Sequence, residues 1–225
     1  WSNCAGPGIV AIMAVVVSRL WDILRHGPMR LLSSHRVNRE RRGYRELTQG
    51  MISLAAGDAA RALRHARKAD TLLDNTIAGN LLIAQAATLQ GKTSLAKQQY
   101  EVMSDSDDAA IAGLRGLFEQ AISDGDDDSA VRFGEKVRER QPDSEWVLLP
   151  LFELKVARDD WAGADDVLAE ALWRKVVTAE TGKRDRALVL YERGISGLEQ
   201  GEADLAMGEY EDILAEDPSN LLVVK

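Results

Sequence analysis

Cysteine is nearly absent from this sequence, which holds only Cys4. One thiol excludes an internal disulfide framework and any multi-cysteine metal site. Histidine is scarce as well. His26 and His35 fall in an arginine-rich stretch, and His65 stands among Arg61, Arg64 and Arg67, where a solvated role is expected. Aromatic residues make up 5% of the chain and there are five prolines, so few segments have the β-branched, alternating character of strands. Alanine, the strongest helix former, is abundant. No Ser/His/Asp or Cys/His set and no phosphate-binding loop is present, so no catalytic, cofactor or metal residues are expected. The sequence reads as all-α and not as an enzyme.

Charge is divided unevenly. Between Ser18 and Arg45 there are eight arginines against Asp22 and Glu40, a net of about +6, whereas the whole chain carries −8. A basic collar followed by an acidic body fits a juxtamembrane segment and a solvated domain. An acidic body also argues against nucleic acid as a partner.

Ala5 to Val17 contains no charge, and Leu20, Trp21, Ile23 and Leu24 extend the apolar character. About 20 helical residues span a bilayer core. Residues 1–24 are therefore expected to form a transmembrane helix and 25–42 a basic juxtamembrane segment. A signal peptide would carry its positive charge ahead of the apolar run, and here it follows. By the positive-inside rule the remainder is expected on the cytoplasmic side of the membrane. The chain starts at Trp1 and ends on the apolar run Leu221 to Val224, just beyond Pro218; both ends read as cut.

The dominant signal is a repeat. Gly57, Gly91, Gly125 and Asp159 recur in short turns 34 residues apart, and Gly201 follows 42 residues later. A period of 34 is that of tetratricopeptide helix pairs. Five positions after each of these residues stands alanine: Ala62, Ala96, Ala130, Ala164 and Ala206. Two helices that cross closely need a small side chain there. Ala66, Tyr100, Gly134, Leu168 and Tyr210 stand nine positions after the turn, where they meet the next interface. Gly50 and Gly194 precede their turns by seven, and Pro142 and Pro218 follow theirs by seventeen. The expected fold is a right-handed superhelical stack of five helix pairs over residues 43–225, at about 43–76, 77–110, 111–144, 145–178 and 187–220. An insertion rich in Arg and Lys separates the last two. It either lengthens a helix or forms a bulge.

Two motif matches fail on context. Asp124 to Ser129 with Glu135 imitates a calcium loop, but Ser129 occupies the position that needs glycine, and the repeat register makes this an interhelix turn. Gly6-Pro7-Gly8-Ile9-Val10-Ala11 fits a dinucleotide fingerprint, yet no strand precedes it. Stacked pairs bind partners on their concave face. The register lines that face with Met51, Leu54, Leu81, Gln85, Thr88, Arg115, Glu119, Trp146, Leu149, Glu153, Tyr191 and Leu198. Gln85, Arg115, Glu119, Trp146, Glu153 and Tyr191 are the candidate contacts for a protein partner; alternatively, several of these positions pack against further repeats.

Arg41-Arg42-Gly43-Tyr44-Arg45 leads into Gly50 and then Ala56-Gly57-Asp58-Ala59-Ala60-Arg61-Ala62, after an apolar run and an Arg-rich exit containing Pro28. This order, with the Arg158-Asp159-Asp160-Trp161 turn, resembles the HemY family of proteobacterial inner-membrane tetratricopeptide proteins. That family usually begins with two membrane helices, and only a counterpart of the second is found here. The resemblance implies a membrane-anchored scaffold that gathers haem (porphyrin) biosynthesis enzymes, with the lipid bilayer and proteins as partners. It carries over no catalytic residue and no cofactor. The competing readings are a scaffold for envelope assembly (lipopolysaccharide regulation) and a haem or porphyrin carrier using His65, Trp146 or Tyr191.

Overall fold

The computed structural model describes residues 36–199 apart from Asn75, together with scattered positions between 201 and 211. The expected transmembrane helix of residues 1–24 lies outside the described residues. Among those described, no helix is long and apolar enough to cross a membrane.

The described chain is helical, with no strand. Helix α1 covers 36–55. It is followed by α2 (Ala59–Leu73), α3 (Ile77–Leu89), α4 (Thr93–Ser104), α5 (Ala110–Asp124) and α6 (Asp127–Arg140). A 3-10 turn at Glu145–Val147 then leads into α7 (Leu148–Ala157), α8 (Trp161–Trp173) and α9 (Ala179–Glu199). The insertion thus resolves as a lengthened helix, since α9 has 21 residues against 10 in α7.

The turns that set the period share one geometry. Gly57, Gly91, Gly125 and Gly201 take φ of 77°, 68°, 70° and 81°, and Asp159 takes 56°. A left-handed residue is what reverses the chain after a helix, and glycine adopts it without steric cost. Asp159 holds the same conformation with a side chain attached. After Gly57, Gly125 and Asp159 the next residue is an aspartate that caps the following helix. The carboxylates of Asp58, Asp126 and Asp160 accept from the N–H groups of Arg61, Ser129 and Gly163 at 2.9, 3.0 and 3.0 Å. Each satisfies one orphan donor of a helix start. The calcium-like stretch is thereby accounted for: Asp126 caps α6, Asp128 pairs with Arg158, and Glu135 pairs with Arg138 and Lys155.

The chain divides into two compact units, 1–96 and 97–225. In the first, α1, α2 and α3 close on a core of Ala62, Leu63, Ala66, Leu82, Ile83 and Ala86, with Leu47, Leu54 and Leu95 against it. Gly50 is required here, because a Cβ would stand 2.5 Å from Leu82 Cδ2. In the second unit Leu114, Phe118 and Ala121 of α5 meet Ala130 and Val137 of α6. Val147, Leu148 and Leu151, with Val167 and Ala171 of α8, complete that core. Ala62, Ala96, Ala130 and Ala164 are all fully buried, as close crossing demands. At Gly113 an added methyl would run into the main chain of Tyr100, Met103 and Ser104, so α5 rests directly on the backbone of α4.

Thermal melts of single variants test this reading of the turns and crossings. Asp159→Gly should raise stability by up to about 1 kcal/mol and Gly125→Ala should lower it by about 1 kcal/mol, the usual penalty for a Cβ in the left-handed region. Gly113→Ala should cost about 1–3 kcal/mol through overpacking, despite alanine's better helix propensity.

Candidate functional site

Pro142 follows the end of α6, and the chain enters the 3-10 turn with Val147 and Leu148 fully buried. These two anchors fix Trp146 between them and the surface, half-buried. Its ring meets Phe118 of α5 edge-on, at 5.8 Å between centroids and 71° between planes. Arg115, one helical turn before Phe118, lays its guanidinium over the same ring at 4.8 Å. Arg115 Nε also donates to Glu119 Oε1 at 2.8 Å. The carboxylate thus restrains the arginine on the indole and offsets its charge.

Arg115 and Glu119 are each more than half exposed, so neither their ion pair nor the cation–π contact contributes much to stability. Each is worth about 1 kcal/mol or less at the surface. What the trio provides is orientation. Arg115 keeps N–H donors free for a carboxylate or main-chain carbonyl, beside an aromatic surface. Leu149 is 39% exposed on α7, and Glu153, one turn further along, is exposed as well.

Of the six residues marked in the sequence, the structure joins three: Arg115, Glu119 and Trp146. Glu153 is exposed on α7, and Tyr191 is half-buried on α9 against Ala187 and Leu190. Gln85 is exposed on α3, within the other unit. His65 departs from expectation. It is half-buried, not solvated, and its Nδ1 lies 2.6 Å from Glu46 Oε2. That hydrogen bond lowers the Glu46 pKa, against burial, with the charge of Lys68 assisting.

Sequence reasoning missed an ionic clamp in the second unit. Lys155 is buried, with Nζ at 2.9 Å from Glu135 of α6 and 3.1 Å from Asp160, the cap of α8. Gly163 leaves the room, because a Cβ there would collide with both the Asp160 carboxylate and the Lys155 amine. Arg138 bonds Glu135, Asp166 and Glu170 at 2.9, 3.0 and 2.6 Å. Arg174 bonds Glu170 and Asp143. Burial alone would pull the Lys155 pKa down, but the hydrogen bonds it donates to Glu135 and Asp160 outweigh it and the pKa rises. For Asp160, burial works upward and is outweighed by the Gly163 N–H and by Lys155, leaving the pKa low. The Arg138–Glu170 separation of 32 residues sits close to the repeat period, yet no local pattern marks either residue.

Residues 4–91 match the family model described as HemY protein N-terminus, the family whose likeness is visible in the sequence. No curated protein matches the chain. Among solved structures, a tetratricopeptide repeat protein from Parabacteroides merdae ATCC 43184 is similar at 13% identity and a TM-score of 0.59, over 81% of this chain and 70% of that one. MamA AMB-1 is similar at 16% identity and a TM-score of 0.53, over 80% and 93% of the two chains. A further MamA structure aligns at 12% identity and 0.52, over 79% and 92%. At these identities the likeness is one of fold, and it makes the described body a tetratricopeptide-type helical repeat.

The clamp predicts a pH response with a definite sign. Asp160 has a depressed pKa, so its contribution is complete above the ordinary aspartate value near 3.9 and is lost as pH falls through its folded value. Lys155 has a raised pKa, so its contribution holds below about 10.4 and fades only above that. Lys155→Met should lower stability near neutral pH by about 2 kcal/mol, less than for a fully buried pair because Glu135 and Asp160 are partly exposed. Melts of the wild type, Lys155→Met and Asp160→Asn at pH 7 and pH 3 check this, with the two variants losing less on acidification than the wild type.

Proposed function

From the HemY amino-terminal match and the tetratricopeptide-type fold, we infer that this chain is a membrane-anchored repeat scaffold which binds protein partners and organises haem (porphyrin) biosynthesis enzymes at the inner membrane. The observation that carries the binding role is the surface trio of Arg115, Glu119 and Trp146. Tryptophan and arginine dominate the energetics of protein interfaces because they combine large contact area with directed hydrogen bonds. Here both are held in place before any partner arrives, which reduces the entropy lost on binding.

The ligand this geometry suits is an extended peptide or loop of a partner. One carboxylate or carbonyl would meet the arginine, and an apolar side chain would lie along Trp146 and Leu149. Glu153 and Tyr191 of the same unit, and Gln85 of the other, are proposed as further contacts. The apolar run of residues 5–24 and the arginines after it support an anchored chain with its repeats on the cytoplasmic side. The repeat limits given above are part of the same proposal.

Crosslinking and affinity purification from membranes, followed by mass spectrometry, tests this reading. Enzymes of the haem pathway should be enriched, and Arg115→Glu or Trp146→Ala should weaken their binding about thirtyfold, the loss of one interface hot spot. Enrichment of envelope-assembly proteins instead would move the scaffold to lipopolysaccharide regulation. A porphyrin Soret band in the purified protein that disappears with Trp146→Ala and Tyr191→Phe would make it a carrier.

A further inference from the structure

The chain is acidic, with 36 Asp or Glu against 28 Lys or Arg, but residues 36–73 reverse the balance with nine Lys or Arg against four Asp or Glu. The α1–α2 hairpin gathers these cations in one place. On α2, Arg61, Arg64, Arg67 and Lys68 are all exposed. At 100° per residue they share a stripe about 120° wide. The stripe borders α1, where Glu46 bonds His65 and Arg39 donates to the Thr71 carbonyl at 2.8 Å. Arg42 is exposed on α1, one turn from Glu46 and close in sequence to Arg39.

Arg39 and Arg61 are matched by Asp74 and Asp58. Arg42, Arg64, Arg67 and Lys68 make no ion pair with any described residue. An open cleft of about 390 Å³, lined by Arg67, Lys68, Thr71 and Leu72, lies beside the stripe. It has room for a phosphate group.

We propose that this hairpin is an electrostatic dock for an anionic lipid surface, with Arg42, Arg64, Arg67 and Lys68 receiving headgroup phosphates. The proposal builds on the membrane-anchor reading. The apolar run ends at Leu24, twelve positions before Arg36, and such a connection reaches at most about 40 Å. Tethering alone therefore keeps the hairpin near the bilayer but not within the Debye length of about 8 Å, over which surface charge is felt. The four unmatched cations supply the final approach. Docking by this edge would fix the orientation of the α1–α3 unit at the surface, where a bare tether would leave it to rotate freely.

The test uses the full chain with vesicles of phosphatidylcholine, alone or mixed with phosphatidylglycerol. Cys4→Ser with Thr71→Cys places one fluorophore beside the stripe, and a quencher is carried on the lipid headgroups. The expected result is flotation with both vesicles and strong quenching only where phosphatidylglycerol is present. Quenching should be lost at high salt and in the triple variant R64E/R67E/K68E. The neutralising variant R64Q/R67Q/K68Q should weaken the contact about a hundredfold, at roughly fivefold per cation, and the charge-reversing R64E/R67E/K68E by more. Helical content by circular dichroism distinguishes lost docking from lost folding.

Flotation with both vesicles but quenching indifferent to lipid charge overturns the dock and leaves the anchor standing. Flotation with anionic vesicles alone, abolished by the triple variant, keeps the dock and overturns the anchor. Flotation with neither overturns both. Tight, salt-sensitive RNA binding by the same four residues, with quenching indifferent to lipid charge, would reassign the stripe to nucleic acid.

Discussion

Everything in this fold depends on how closely two helices can cross. Ala62, Ala96, Ala130 and Ala164 sit at the crossing points with their methyl groups completely removed from solvent. A larger side chain at any of them would push the helices apart and open the core it helps to close. The left-handed residue five positions earlier is the other half of the same constraint, since it turns the chain sharply enough for the second helix to return along the first. In three of the four an aspartate after it, Asp58, Asp126 or Asp160, caps the returning helix. Turn and alanine thus work as one unit of six residues, repeated along the chain, with the cap inside three of them.

Close crossing leaves little apolar volume per helix, because the residues that permit it are small. The second unit compensates with charge. Lys155, Arg138 and Arg174 bind α6, α7 and α8 through Glu135, Asp160, Asp166 and Glu170. Each of these cations is mostly shielded and meets at least two carboxylates, so none is left buried and unmatched, the arrangement that would be costly. The first unit treats its cations differently. Those along α2 face outward, and most make no ion pair with any described residue. The same residue types therefore hold the body together in one unit and stay available for an external surface in the other.

The Arg115–Glu119–Trp146 trio sits between these extremes. It contributes little to stability and leaves donors and an aromatic surface exposed. Its rigidity comes from beneath, through Phe118, Val147 and Leu148, all buried. A binding surface resting on core residues in this way inherits the precision of the core.

Much of this was legible in the sequence, for a physical reason: a repeat imposes the same local requirement several times. The 34-residue spacing located the turns, Gly50 and the alanines marked the close crossings, and the charge asymmetry marked the basic end. Arg115 and Glu119 were legible as candidate contacts because the repeat register puts them on one helix face, and their ion pair emerged only in the structure. The sequence could not decide whether the insertion bulged or extended α9, since both outcomes satisfy its polar composition. Nor could it reveal the partnership of Lys155 with Glu135, of Arg138 with Glu170, or of His65 with Glu46. Those pairs join helices that are distant along the chain, and only packing sets the distance between them. Periodicity is written in the sequence because every unit must obey it, whereas a contact made once, between two particular side chains, exists only after the helices have found their places.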